Sequence, residues 1–216
     1  MNRISIPDSG SAVLALDLVK VIDDNSAYLS EVDGAIGDGD HGINMRKGFD
    51  RFAVLASEKN VQDASGGLIL LGATLLNEIG GSMGPLYGSF FKALGRKAKG
   101  KDIDAQVLLE MLKDGMDAVM SIGEAKPGDK TMLDALAPGI DAFEKAINGG
   151  SGFADALNSL AAAAAAGADA TVGMLARVGR ASRLGERSKG FRDAGATSCA
   201  LLLTQMSGTM KELLGN

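Results

Sequence analysis

Apolar residues recur at helical spacing in eight successive stretches of this 216-residue chain, and the sequence contains no convincing strand pattern. Aromatic residues make up only 4% of the chain, so Leu, Ile, Val, Met and Ala must fill the core. Most of these are good helix formers, and the stretches are joined by short connections. We therefore predict an all-α fold of eight antiparallel up-and-down helices in a single domain, residues 1–216. The predicted helices run roughly from a cap at Asp8 or Ser9 to Asp33, then over 42–55, 64–79, 85–94, 104–122, 131–147 with a kink at Pro138, 153–177 and 196–214.

The connection after the first predicted helix, Asp33 to Gly42, holds three carboxylates, four glycines and the only histidine of the chain. No basic residue separates Asp33, Asp38 and Asp40, so a bound cation is the simplest way to offset their mutual repulsion. All-oxygen ligands with room for waters or phosphate oxygens suit Mg²⁺. A solvated acidic turn is the alternative interpretation, because such turns are common.

Three further connections are unusual. Gly80–Pro85 follows the third helix, Gly123–Lys130 follows the fifth, and Gly179–Gly195 follows the seventh. This last region overlaps an arginine-rich segment, residues 177–192. In an up-and-down bundle all four of these connections fall at the same end. Helix N-termini favour phosphate, and Mg²⁺ neutralises phosphoryl groups. The sequence therefore predicts a Mg–nucleotide or Mg–pyrophosphate site at that end. A solvated surface is the alternative for the basic segment 177–192.

Other features narrow the class of protein. A net charge of −5 argues against nucleic-acid binding. The one cysteine, Cys199, excludes an internal disulfide and is interpreted as a core residue. We see neither a signal peptide nor an apolar run long enough to cross a membrane, so we expect a cytoplasmic protein. Gly123–Thr131 comes near a Walker A loop, but Asp129 interrupts the required Gly-Lys pair and no strand precedes it.

Five long segments of the chain form a recognisable set: Ile36–Met45 with Asp33 upstream, Gly80–Gly88, Lys126–Asp134, Gly179–Ser188 and Asp193–Ser198. These segments resemble the nucleotide-binding L subunit of dihydroxyacetone kinase. They occur in order and span nearly the whole chain, which makes chance agreement implausible.

The resemblance implies a closed barrel of eight antiparallel helices with the nucleotide, ADP or ATP, at one end. It implies that Asp33, Asp38 and Asp40 hold two Mg²⁺ ions. The residues implied along the phosphates and around the rest of the nucleotide are His41, Gly42, Ile43, Asn44, Ser82, Met83, Gly123, Met132, Arg180, Asp193, Ala194 and Gly195. His41 and Arg180 are candidates for supporting the transition state. The alternative for His41 is a helix-start residue that bonds to nearby backbone.

The chain departs from the family pattern at two positions. Met83 stands where a small hydroxyl residue is common, so Ser82 or backbone N–H groups would have to make that phosphate contact. Ala194 stands where proline is common, which leaves the turn less rigid.

In the family, a separate K subunit holds the ketose covalently. The phosphoryl donor is either ATP or a bound ADP that is recharged by a protein of the phosphoenolpyruvate phosphotransferase system. A stand-alone L chain favours the second mode. An ATP-dependent kinase subunit for another ketose such as erythrulose, a non-catalytic ADP-binding regulator, and a homodimeric state all remain open at this stage.

Overall fold

The computed structural model describes residues 4–215, and this range contains eight α-helices. They are α1 Val13–Gly34, α2 His41–Glu58, α3 Ala64–Glu78, α4 Met83–Ala98, α5 Ala105–Gly123, α6 Leu133–Asn148, α7 Phe153–Ala170 and α8 Ala194–Gly215. Short 3₁₀ stretches at Thr171–Gly173 and Ala181–Ser188 lie between α7 and α8. Pairing of extended backbone within the described range is limited to two isolated bridges. The predicted all-α fold is confirmed.

The helices form a ring in which each helix contacts the next along the chain and α8 returns to contact α1. The interior is apolar and contains a cluster of aromatic side chains from α2 and α4. Phe49 meets Phe91 edge to face at 6.1 Å between ring centroids, and Phe90 meets Phe91 at 5.2 Å. Such pairs contribute about 0.5–1.5 kcal/mol beyond their burial. This packed core holds the helix ends in fixed positions.

The end of the ring away from the acidic connection is held together by Asp8. Its carboxylate accepts hydrogen bonds from Ser65 N at 2.7 Å, from Ser65 Oγ at 2.8 Å and from Gly100 N at 3.0 Å. The prediction that Asp8 or Ser9 caps the first helix is therefore wrong, since α1 begins at Val13 without a side-chain cap. Asp8 instead helps Asp63 to satisfy the free N–H groups at the start of α3.

Two further boundaries differ from the sequence prediction. α4 continues to Ala98 where a loop was expected from Gly95, because Gly95 packs tightly against Ser65 and Ile69 of α3. α7 ends at Ala170 rather than near Arg177, because Thr171 Oγ1 donates to Ala168 O and accepts from the distant Asp193 N. α6 runs as one helix across Pro138, where the expected kink stays a prediction.

Candidate functional site

One cavity of about 520 Å³ opens at the end of the ring where α1, α3, α5 and α7 finish. Its wall takes residues from all four connections that the sequence singled out, so the prediction that they share one end is confirmed. The lining residues are Asp33, Ile36, Gly37, Asp38, Asp40, His41, Asn44, Gly80, Gly81, Ser82, Met83, Leu86, Tyr87, Val119, Gly123, Ala125, Lys130–Leu133, Val178–Ala181 and Asp193–Gly195.

Three carboxylates converge at one corner of this cavity. Asp33 lies in the last turn of α1, Asp38 in the connection, and Asp40 immediately before α2. Each offers an oxygen, and these oxygens all lie within 4.8 Å of one another. Asp33 Oδ2 also accepts a hydrogen bond from Asp40 N at 3.1 Å, which draws the two ends of the connection together. The chemistry and spacing of these oxygens fit a hard divalent cation such as Mg²⁺.

Of the predicted nucleotide contacts, only Gly42 and Ile43 do not line the cavity. Ile43 is 66% exposed and is not part of the cavity wall. Gly42 is buried at the contact between α2 and α1, where an added Cβ would collide with Ser26 O. Glycine at this position therefore lets α2 begin close to α1, which brings His41 and Asn44 to the cavity wall.

His41 is buried and neutral over the physiological range. Removal of the ring from water lowers its pKa to about 4, against an opposing effect from the nearby Asp33 carboxylate. Its Nε2 lies 2.8 Å from Ser198 Oγ, and Ser198 Oγ lies 2.6 Å from Tyr87 OH. Sequence reasoning assigned no role to Tyr87 or Ser198. Both belong to segments that carry the family resemblance, but only the packing of α2, α4 and α8 brings them to the histidine.

The turn between α5 and α6 is held by its own side chains. Asp134 accepts from Gly128 N and from Thr131 N, the latter at 2.8 Å. Asp129 accepts from Lys126 N at 2.9 Å. A phosphate-binding loop presents free backbone N–H groups to phosphate. In this turn the Asp129 and Asp134 carboxylates already accept hydrogen bonds from such groups, so the turn differs from the Walker A loop that its sequence partly matches.

Lys130 is 2% exposed and has a φ of +63°. Its ammonium group bonds to backbone carbonyl oxygens of the protein itself. Nζ donates to the carbonyl oxygens of Met174 at 3.3 Å and Phe191 at 2.7 Å, and also to that of Ser188. Burial lowers the pKa of Lys130, while the charge of Asp193 opposes that shift. A single lysine thus ties the arginine-rich segment to the α5–α6 turn, a role that the sequence did not reveal.

The arginine-rich segment directs three of its arginines toward acidic partners. Arg180 forms an ion pair with Asp38, and Arg177 Nε lies 3.9 Å from Asp129 Oδ1. Arg192 pairs with Asp169 at 2.6 Å and donates to Tyr28 OH at 3.1 Å. The segment therefore closes one side of the cavity and places a positive charge beside the carboxylate corner.

Asp193 lies at the start of α8, and its side chain accepts from Ala196 N at 2.7 Å. Burial of the carboxyl group raises its pKa to about 6, although this hydrogen bond and the charge of Lys130 act in the opposite direction. Cys199, six residues further along, is 1% exposed within the apolar core, which confirms the core interpretation. This burial raises the pKa of its thiol to about 12. No helix in residues 4–215 combines the length and the apolar character needed to span a bilayer.

Comparison with known proteins gives concordant results. Residues 35–208 match the DAK2 domain. The chain is 38% identical over 190 residues to the ADP-binding subunit DhaL of the PEP-dependent dihydroxyacetone kinase of Escherichia coli, covering 87% of this chain and 90% of that protein. It is 39% identical over 181 residues to the corresponding subunit of the PTS-dependent dihydroxyacetone kinase of Lactococcus lactis, covering 84% and 86%.

A longer relative is named for a kinase that acts on a different ketose. The L-erythrulose 1-kinase of Mycolicibacterium smegmatis is 37% identical, but the match spans 92% of this chain and only 37% of that protein.

Among solved structures, the native dihydroxyacetone kinase of C. freundii superposes with a TM-score of 0.69 at 26% identity, over 95% of this chain and 36% of that chain. A second structure of that kinase, in complex with AMP-PNP and Mg²⁺, gives the same TM-score at 24% identity and supports the fold. Because the DAK2 domain covers most of the sequence and the E. coli and L. lactis relatives match over nearly their full length, the chain belongs to the DAK2 domain family of dihydroxyacetone kinase subunits.

Proposed function

We propose that this chain is the ADP-binding subunit of a dihydroxyacetone kinase and works as a single L domain over residues 1–216. The observation that carries the proposal is the convergence of Asp33, Asp38 and Asp40 at one corner of a cavity. The wall of this cavity takes residues from the connections that follow α1, α3, α5 and α7. A nucleoside diphosphate or triphosphate needs a cation site, anion-compatible helix starts and an apolar wall for the base. The cavity offers each of these.

The three aspartates would hold Mg²⁺, which supplies charge neutralisation for the phosphates when bound. The phosphate chain would extend along His41, Asn44 and the Gly80–Met83 turn. Leu86, Val119 and Met132 form an apolar part of the wall that suits a base. Met83 takes the place of a small hydroxyl residue, and Ser82 beside it is exposed and free to make the phosphate contact.

Arg180 and His41 would stabilise the transferring phosphoryl group by position and charge rather than by proton abstraction. In the described structure Arg180 pairs with Asp38, so its guanidinium already lies at the carboxylate corner. The neutral His41 ring adds a hydrogen-bond donor without adding charge. We propose two Mg²⁺ ions rather than one, since Asp33, Asp38 and Asp40 would supply enough carboxylate oxygens for two ions.

The acceptor chemistry would belong to a partner. The E. coli and L. lactis relatives are described as subunits, and we propose that this chain likewise acts with a ketose-binding K subunit. We further propose that the ADP stays bound and is recharged by a phosphotransferase-system protein, in the cytoplasm. A homodimer of this chain is compatible with the proposal but is not required by it.

A second candidate is supported by the M. smegmatis L-erythrulose 1-kinase, in which a region similar to this chain is part of a longer protein. In that case ATP would exchange freely and the ketose would have four carbons. Purification without added nucleotide, followed by mass spectrometry, separates the two modes. Stoichiometric ADP that survives dialysis supports the cofactor mode, and an empty protein that binds ATP reversibly supports the exchange mode.

The nucleotide site itself is tested by Asp38→Asn and Asp40→Asn. Each change removes a charged oxygen ligand while keeping the side-chain shape, so we expect at least a 100-fold loss of Mg²⁺-dependent ADP affinity, or about 2.7 kcal/mol, with an unchanged helical circular dichroism spectrum. Asp24→Asn is the matched control, because Asp24 is an exposed aspartate on α1 whose ion-pair partner within residues 4–215 is Lys20. Unchanged ADP binding in both site variants refutes the metal assignment. ADP binding without any turnover, when a K subunit and a phosphoryl donor are present, would instead identify a regulator.

A further inference from the structure

A buried chain of polar groups runs inward from the phosphate side of the cavity. His41, Tyr87 and Ser198 come from α2, α4 and α8, and they are 8%, 2% and 0% exposed. The distance from His41 Nε2 to Ser198 Oγ is 2.8 Å, and that from Ser198 Oγ to Tyr87 OH is 2.6 Å. Buried polar groups of this kind cost free energy unless each finds a partner, so their protons must be arranged in a definite order.

The proton of Tyr87 fixes one end of this order. Burial raises the pKa of Tyr87 well above its ordinary value, so the phenol keeps its proton. The phenol is a stronger donor than an aliphatic hydroxyl, and its closest partner is Ser198 Oγ; Gly195 O lies further away at 3.0 Å. The shorter of these two contacts therefore favours donation from Tyr87 OH to Ser198 Oγ.

Ser198 then has a single proton to donate. Its nearest remaining acceptor is His41 Nε2 at 2.8 Å, ahead of Ala194 O at 3.0 Å and Gly195 O at 3.2 Å. Donation to Nε2 requires that nitrogen to be unprotonated. In a neutral imidazole the proton then lies on Nδ1.

The surroundings of Nδ1 favour the same arrangement. His41 lines the cavity, and no group within residues 4–215 forms a hydrogen bond with Nδ1. The nearby charged group that acts on the ring is the Asp33 carboxylate, which is an acceptor, and the phosphates of a nucleotide are acceptors too. A protonated Nδ1 could donate to such a ligand, whereas an unprotonated Nδ1 would repel it.

We propose that Tyr87 and Ser198 are positioning residues that hold His41 as the Nδ1–H tautomer, so that His41 donates a hydrogen bond from Nδ1 to an anionic oxygen of the bound ligand. The ligand part of this inference rests on the proposed nucleotide-binding function. The tautomer part does not, because it concerns the protein alone.

The tautomer can be read directly, because His41 is the only histidine in the chain. Long-range ¹⁵N–¹H correlation spectra of the ¹⁵N-histidine-labelled full chain near pH 7 distinguish a protonated ring nitrogen from an unprotonated one by chemical shift. We expect the protonated nitrogen of the wild-type protein to be Nδ1. A spectrum in which Nε2 carries the proton would overturn the inference, even if ADP binds.

Two variants test the two positioning residues. Ser198→Ala removes the donor to Nε2, so we expect a mixture of both tautomers and about tenfold weaker ADP binding in the presence of Mg²⁺. Tyr87→Phe leaves Ser198 in place but no longer orients its hydroxyl, so we expect a smaller admixture of the Nε2–H tautomer than in Ser198→Ala and about threefold weaker ADP binding. Ser207→Ala is the matched control, because Ser207 is a buried serine of α8 whose hydroxyl has no partner in the described part of the chain.

The outcomes separate the two levels of the proposal. If Ser198→Ala keeps a pure Nδ1–H signal, Ser198 does not set the tautomer and the inference fails. If the wild-type protein shows the Nδ1–H signal but does not bind ADP, the proposed function fails while the tautomer assignment stands. A tenfold loss of ADP affinity in the Ser207→Ala control would show that the effect comes from α8 packing and would also overturn the positioning role.

Discussion

Replacement of Lys130 by methionine should release the arginine-rich segment without unfolding the protein. The ammonium group makes hydrogen bonds to three carbonyl oxygens, those of Met174, Ser188 and Phe191. Hydrogen bonds to charged groups contribute about 1.5–3 kcal/mol each, and burial of the ammonium group offsets several kcal/mol of that sum. We therefore expect a net loss of about 3 kcal/mol of local stability, equivalent to a roughly 100-fold larger equilibrium constant for opening of the segment.

Hydrogen exchange followed by mass spectrometry measures this opening. Peptides that cover 174–192 should lose protection in Lys130→Met, while peptides from α3 keep theirs, because the opening is local. Lys126→Met is the matched control, since Lys126 is an exposed lysine of the same turn. Wild-type protection of 174–192 in Lys130→Met would refute the reasoning, and an equal loss of protection in α3 would show that Lys130 supports the whole fold instead.

Two further predictions concern the same end of the ring. Gly42→Ala should destabilise the protein by about 1–3 kcal/mol, because the added Cβ would collide with Ser26 O. Gly208→Ala, in an open position of α8, should instead stabilise it by about 0.5–1 kcal/mol. Urea denaturation measures both changes, and equal effects of the two variants would contradict the packing argument. The single histidine should titrate with a pKa of about 4 in an NMR titration. Because the folded-state pKa lies below the unfolded value, the free energy of unfolding should fall as the pH decreases from about 6.5 to 4. A titration midpoint near 6.5 would show that His41 is solvent-exposed.

The linear sequence made the helices and the end that carries the site predictable. The helical period of apolar residues is a local signal, so elements such as α5 and α6 could be located to within about two residues. The alternation of an up-and-down bundle then brought Asp38, Ser82, Gly123 and Arg180 to one end without any knowledge of distances. The boundaries that failed, at Gly95 and Thr171, are those where contacts with a distant segment extend or stop a helix.

The residues that support the site were not predictable in this way. Asp8 looked like a helix cap for its own neighbourhood, yet its partners Ser65 and Gly100 lie 57 and 92 positions away. Lys130 received no role from the sequence, because the near match to a Walker A loop was rejected, yet its partners belong to a segment that begins 44 residues later. Hydrogen bonds over such separations leave no periodic trace in a sequence, because they depend on where whole helices pack.

The sequence by itself therefore determined the fold class, the position of Asp33, Asp38 and Asp40 at the junction of two helices, and the grouping of four connections at one end. These follow from local periodicity and from the alternation of helix direction, which need no distance information. The tertiary structure alone decided that the three carboxylates share one corner, that Lys130 holds the arginine-rich segment, and that Ser198 and Tyr87 meet His41. Each of these contacts joins residues from different helices or connections, and their geometry exists only once the core has closed.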